Sequence, residues 1–251
     1  MDNFVSSPNL PKCVKNVIIS SKYSDILDKP LQNLGIIPIY VPENPSVDSR
    51  LSGHTDLSIF HGGGDQVFLA PYLKNTKTAE KLAEIGLSVH FTGINQAEKY
   101  PFDAQMNVCA FGNSFIYNSR TASSEIVDYL TNSGRQGIDC RQGYSKCSVC
   151  VLNENAVITS DRGIADAASE NNIDVLLIDS GGIKLKGFDY GFIGGAAFKI
   201  SSNTIAFTGT LDLLSRKETI LSFLCYHNIE PVFLTGQPAF DIGGAVPLTE
   251  K

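Results

Sequence analysis

Asp241-Ile242-Gly243-Gly244-Ala245-Val246-Pro247-Leu248 is a strand-forming stretch near the end of the sequence, with no helix after it. Its Ile-Gly-Gly-Ala core occurs once more, at residues 193 to 196, where it leads into a hairpin. At the other end of the chain, Val14 to Ile19, a helix around Asp25 to Leu34 disturbed by Pro30, and Ile36 to Tyr40 make a unit that lacks the opening strand of its hairpin. The tail is expected to supply that strand. A chain whose last strand completes its first unit closes on itself, which buries sheet edges and leaves a central channel lined by the innermost strand of each unit.

Working outward from the tail, the order hairpin, helix, strand returns four times. Asp56 to Phe60, a Gly-rich turn and Gln66 to Leu69 precede a helix after Asn75 or Thr76, ended by Gly86, and the strand Leu87 to Phe91. Met106 to Phe111, Gly112-Asn113-Ser114 and Phe115 to Tyr117 lead to a helix over Thr121 to Ser133 and a strand at Gly137 to Arg141. Lys146 to Leu152, Asn153-Glu154-Asn155 and Ala156 to Thr159 lead to a helix over Gly163 to Glu170 and the strand Val175 to Ile178. Phe192 to Ile200, Ser201-Ser202-Asn203 and Thr204 to Phe207 lead to a helix with a Ser215/Glu218 capping box and the strand Pro231 to Leu234. Turn centres at 63, 113, 154 and 202 give spacings of 50, 41 and 48 residues, which makes the units repeats of one plan. A doubly wound open sheet also alternates strands and helices, but it places single strands between helices where this chain places hairpins. The expected fold class is α/β: a single domain over residues 1–251, built as a five-bladed ring of ββαβ repeats, an α/β propeller closed by the C-terminal strand joining the N-terminal unit.

Composition narrows the function. With 43% apolar residues and a mean hydropathy of zero, the 251-residue chain has enough apolar material for a packed core. The net charge is −6, and no Lys/Arg cluster offers a footprint for nucleic acid or anionic lipid. The N-terminal residues lack the basic and apolar regions of a signal peptide, and no apolar run is long enough to span a membrane, so a cytoplasmic protein is expected. The six cysteines are read as reduced thiols rather than a disulfide framework.

Several residues could carry chemistry. Gly53-His54-Thr55-Asp56-Leu57 opens a hairpin, and in a strand His54 and Asp56 share a face that can point into the channel; the alternative is a pair satisfying local backbone donors. Cys147 and Cys150 open the third hairpin beside Lys146, whose ammonium could lower a thiol pKa. Three apart on a strand, only one of the two cysteines can line the channel, and Cys147 is favoured for its place next to Lys146. Either could instead be a small buried hydrophobe, and one C-x-x-C is half a zinc site at most, so no metal ligand is assigned. Acidic residues recur where other units open, at Asp103, Asp189 and Asp241; sharing a channel with Asp56 they would favour a small cationic ligand or a metal ion, although each alone is an ordinary turn cap. His61, His90 and His227 read as packing residues. Gly62-Gly63-Gly64 lacks the Lys-Ser/Thr of a phosphate cradle and reads as a turn, and no cofactor is expected.

The five-unit pattern resembles the pentein, or guanidino-modifying-enzyme, fold, shared by arginine and agmatine deiminases, dimethylarginine hydrolases, amidinotransferases and the non-enzymatic translation initiation factor 6. More narrowly, residues 143–151, Gly191-Phe192-Ile193-Gly194-Gly195 and Asp241-Ile242-Gly243-Gly244 resemble an uncharacterised bacterial branch of that superfamily. The resemblance implies a His-x-Asp in which His54 transfers protons and Asp56 holds a guanidinium, whose parallel N–H donors a carboxylate accepts bidentately. It also implies a catalytic Cys a few residues past the glycine pair of the C-terminal strand. Here that strand reads Gly243-Gly244-Ala245-Val246-Pro247 and no Cys follows Cys225. Two classes of function stay open: a hydrolase- or amidinotransferase-like enzyme in which His54 and Cys147 act and Asp56, Asp103, Lys146, Asp189 and Asp241 bind the ligand, and a non-catalytic binding or scaffold ring.

Overall fold

A computed structural model describes residues 3–251. Its first unit holds β1 (Asn3–Phe4), β2 (Val14–Ser20), α1 (Ser24–Asn33) and β3 (Ile37–Val41). The second holds β4 (Ile59–Gly63), β5 (Gln66–Leu69), α2 (Lys77–Glu84) and β6 (Ser88–Phe91), and the third β7 (Cys109–Phe111), β8 (Ser114–Tyr117), α3 (Ser124–Asn132) and β9 (Gln136–Asp139). The fourth opens with a short helix, α4 (Ser145–Ser148), before β10 (Val149–Asn153), β11 (Ala156–Thr159), α5 (Arg162–Glu170) and β12 (Asp174–Leu177). The fifth is β13 (Ala197–Ser201), β14 (Thr204–Phe207), α6 (Lys217–Tyr226) and β15 (Glu230–Phe233), after which β16 (Val246–Glu250) returns to the first unit.

Each unit makes its own small sheet: an antiparallel hairpin, then a helical crossover to a parallel third strand. β16 lies antiparallel to β2, with Val246 opposite Ile18, so the tail does supply the missing strand. On its outer edge β16 also pairs with β1, Asn3 opposite Glu250, an extra strand the repeat did not announce.

The core shows why the chain closes. Five apolar clusters lie on the five seams between successive units, and the fifth joins Phe198 and Ala206 of the last full unit to Val17, Ile19, Leu27 and Leu31 of the first. Helices such as α5 lay one apolar stripe, Ile164, Ala165 and Ala168, on the sheet. Hairpin strands such as β4 and β11 are buried on both faces, while the third strands β6, β9, β12 and β15 are largely exposed or half-buried. Thr76 and Asp161 accept from the first-turn N–H groups of α2 and α5. The Ser215/Glu218 box does not form: α6 starts after Arg216 with no side-chain cap, and the Ser215 hydroxyl donates to Asp179 instead. No helix among the described residues is long and apolar enough to cross a membrane.

Candidate active site

The site is assembled from the residues that precede the opening strand of each unit. Asn107, Cys147, Gly195 and Gly244 each stand two residues before β7, β10, β13 and β16, while His54 precedes and Asp56 lies within a 3₁₀ turn, Thr55–Leu57, ahead of β4. His54 and Asp56 were expected to share a strand face. The turn brings both side chains inward in place of strand alternation, and both are buried.

Cys147 sits on the short helix α4 and not on a strand as expected. Its thiol donates to Asp56 Oδ2 at 2.8 Å and lies 4.0 Å from His54 Nδ1. Asn107 fixes the turn carrying it: Oδ1 accepts from the backbone N–H of Lys146 at 2.7 Å and of Cys147 at 3.2 Å, and Nδ2 donates to the sulfur at 3.4 Å. Asp241 is held by the backbone N–H groups of Phe192 (2.8 Å, to Oδ2) and Gly243 (2.9 Å, to Oδ1), and Oδ1 faces His54 Nε2 at 3.9 Å. His54 Nε2 and Asp56 Oδ1 are buried without a hydrogen-bond partner among the described residues, a costly state.

The glycine pairs explain themselves here. A Cβ on Gly195 would overlap the carboxylate of Asp241, and one on Gly243, whose φ is +69°, would lie 2.5 Å from His54 Cα. The repeated Ile-Gly-Gly-Ala therefore clears room for the buried His and Asp side chains.

A cavity of about 270 Å³ opens above the thiol, lined by His54, Cys147, Tyr144, Asp189 and Asp241 with Phe188, Tyr190 and Phe192 at its mouth. It adjoins a groove of about 680 Å³ that shares Leu185, Phe188, Asp189 and Asp241 and carries Lys22, Arg50, Lys184 and Lys186.

The remaining expected residues are placed as follows. Asp56 lies below the thiol and does not line the cavity; burial raises its carboxyl to about 6, partly offset by His54 and Lys146. Lys146 was expected to lower the thiol pKa. Its side chain turns away, donating to the Gly194 carbonyl at 3.3 Å, and it acts on Asp56 instead. The Cys147 thiol is pushed well above its ordinary range, first by burial and then by Asp56 and Asp241. Asp103 is also removed from the cavity: it accepts the Tyr144 hydroxyl at 2.5 Å and so positions a wall residue, while burial raises its carboxyl. Asp189 is exposed at the rim. Cys150 faces the apolar seam, where burial raises its thiol to about 12. His90 and His227 are not core residues; they bond to Gln66 and Asp174 near the surface. Asn107 and Tyr144 were not singled out in the sequence. The signal for Asn107 was its place in the repeat, equivalent to that of Cys147.

Residues 18–246 match the family of unknown function DUF6873. The chain belongs to that family. No curated protein matches it in sequence. Solved structures share its architecture across nearly the whole chain. The amidinotransferase SxtG of saxitoxin biosynthesis from Microseira wollei has 8% identity, 98% coverage of both chains and a TM-score of 0.60. Inosamine-phosphate amidinotransferase of Streptomyces griseus has 12% identity over 98% of this chain and 97% of that one, at a TM-score of 0.56. DDAH of Pseudomonas aeruginosa, complexed with citrulline, has 9% identity over 88% and 92%, at 0.52. This DUF6873 chain thus has the fold of the pentein, guanidino-modifying superfamily.

Proposed function

We propose that the cavity above Cys147 binds a small guanidine- or amidine-bearing cation and that the Cys147 sulfur attacks its central carbon, in a hydrolase- or amidinotransferase-like reaction. The observation that carries this reading is the meeting of Cys147, His54, Asp56 and Asp241, drawn from three units, at the floor of an open cavity. The superfamily's usual C-terminal thiol is missing, and Cys147 offers a sulfur in the same ring of side chains.

In this reading Asp241 anchors the cation. Its charge against Asp241 offsets the carboxylate field that holds the thiol up, so ligand binding itself favours release of the thiol proton to Asp56 Oδ2, its existing acceptor. The S–C bond forms, the C–N bond breaks, and His54, entering the step protonated, gives its proton to the departing nitrogen. Water or an acceptor amine then adds to the S-amidino (or, from an amidine, S-imidoyl) carbon and passes a proton back to His54; the C–S bond breaks and Asp56 returns the thiol proton to sulfur.

The test is a panel of guanidines and amidines incubated with the purified protein, reading released ammonia, urea or amine and the intact mass for an adduct on Cys147. Turnover that disappears in Cys147→Ala supports the reading. No turnover and no adduct would favour a second one, a ring that binds such a cation without converting it, for which the raised thiol pKa and the missing C-terminal Cys speak.

A further inference from the structure

We propose that His54 Nε2, Cys147 Sγ and Asp241 Oδ1 form a three-ligand site for a zinc-class divalent cation, with its fourth position open to the cavity. The inference goes beyond the guanidine reading and does not require it.

The geometry leads to it. One donor atom from each of the three residues lies within 4.8 Å of the other two, and all three residues are buried. His54 Nε2, on a side chain only 3% exposed, has no hydrogen-bond partner and stands 3.9 Å from Asp241 Oδ1. A tetrahedral cation with metal–donor distances of about 2.0–2.3 Å needs donors roughly 3.3–3.7 Å apart, so small side-chain rotations close the site. All three residues line the cavity, which leaves room for water or a ligand as the fourth donor.

The donor set selects the metal class. One imidazole, one thiolate and one carboxylate suit zinc, cobalt or a similar borderline ion, whereas calcium and magnesium demand six or more oxygens. The surroundings are those of a held ligand set: Phe192 and Gly243 amides orient the carboxylate, and Asn107 Nδ2 points at the sulfur. On binding, the thiol proton leaves Sγ through Asp56 to solvent and an S–metal bond takes its place.

This is not the half site suggested by Cys147 and Cys150, since Cys150 turns into the core. Three units of the ring contribute one ligand each, which no local spacing announces. Metal and guanidinium would compete for Asp241, so the cation would also control access to the thiol.

The experiment uses metal-stripped full-length protein with the exposed Cys13 and Cys225 changed to Ser, titrated with Co²⁺ in the absence of any guanidine. One equivalent should produce a thiolate-to-cobalt charge-transfer band, displaced by Zn²⁺. Cys147→Ser should abolish the band, Asp241→Asn should weaken binding at least about 10-fold, and Cys150→Ser should leave it unchanged. A second measurement needs no variant: in wild-type protein Zn²⁺ should slow alkylation of Cys147, mapped by peptide mass, and leave Cys13 reactive. Absence of the band at saturating Co²⁺, its persistence in Cys147→Ser, or equal alkylation of Cys147 with and without Zn²⁺ would each overturn the site. Because no guanidine is present, such a failure leaves the catalytic reading standing, and failure of guanidine turnover leaves the metal site standing.

Discussion

Gly243 packs directly against His54: a Cβ at residue 243 would lie 2.5 Å from both Cα and Cβ of His54 and 2.8 Å from Asp56 Oδ1. The neighbouring Gly244 shares the left-handed backbone, with φ of +68°, but its Cβ would meet looser neighbours, the flexible end of Lys146 at 3.0 Å and the Gly194 carbonyl oxygen at 3.3 Å. Gly243→Ala therefore combines backbone strain with overpacking against buried groups, about 2–5 kcal/mol together. Gly244→Ala carries mainly the strain, about 1–3 kcal/mol. Thermal unfolding should place Gly243→Ala below Gly244→Ala, and equal midpoints would show that the His54 contact is readily relaxed.

His61 gives a pH signature. Burial holds its imidazole down at about 4, with Arg135 acting in the same direction and the 2.9 Å contact with the Gly64 carbonyl opposing. Between about 6.5 and 4 the unfolded chain takes up this proton and the native chain does not, so stability falls as pH falls through that window. Asp56, raised to about 6, works in the opposite sense between its unfolded value and 6. The informative quantity is thus the difference from His61→Gln, measured by urea unfolding at pH 7, 6, 5 and 4.5. The variant should lose less stability than wild type toward acid; parallel curves would place the imidazole in a wetter setting.

Lys199 is a second buried charge, outside the candidate site, on the seam strand β13. Its side chain is 2% exposed, its ammonium donates to the Ser202 carbonyl at 2.9 Å, and burial lowers its pKa to about 8. Below pH 8 the amine is charged in both states and the full burial penalty is present; between about 8 and 10.5 the native state sheds the proton first and stability rises with pH. Lys199→Met should stabilise the protein at pH 7 by about 1 kcal/mol or more and remove the alkaline rise. Loss of stability at pH 7 would mean that the Ser202 hydrogen bond outweighs the buried charge.

Much of this molecule could be read before any coordinates. Hairpins recurring around turn centres 63, 113, 154 and 202, and the Ile-Gly-Gly-Ala shared by residues 193–196 and 242–245, fixed the number of units and the partner of the tail, because apolar alternation and turn residues are local signals. The element boundaries slipped where a local signal met a tertiary demand. Lys146 to Ser148 read as the start of the strand that runs on to Leu152, but they coil into a helical turn, because Asn107 supplies the acceptor for two of its N–H groups. Ser215 looked like a cap until Asp179, a neighbour only in space, claimed its hydroxyl. In the site, the identities of His54, Asp56, Cys147 and Asp241 were legible, but not their order in depth. That Asp56 lies under the thiol while Asp241 faces the cavity follows from how three separate units meet, and spacing along one chain does not encode it.

Asn107 is the residue on which that meeting turns. One side chain accepts two backbone N–H groups of α4 and donates to the sulfur of Cys147. In Asn107→Ala both N–H groups lose their acceptor in a buried setting, about 1–3 kcal/mol for each group left unsatisfied, and the sulfur loses a donor that favours its ionised form. Asn107→Asp keeps the acceptor and replaces the donor with a second carboxylate oxygen beside the thiol. The two variants separate positioning from electrostatics. Both should slow alkylation of Cys147 at neutral pH and lower the unfolding midpoint; the loss in Asn107→Ala should persist across pH, whereas that in Asn107→Asp, which buries a further carboxylate near Asp56, should shrink toward acid. Should Asn107→Asp react as fast as wild type, the Nδ2 contact at 3.4 Å contributes nothing to the thiolate, and Asn107 serves only to hold the turn.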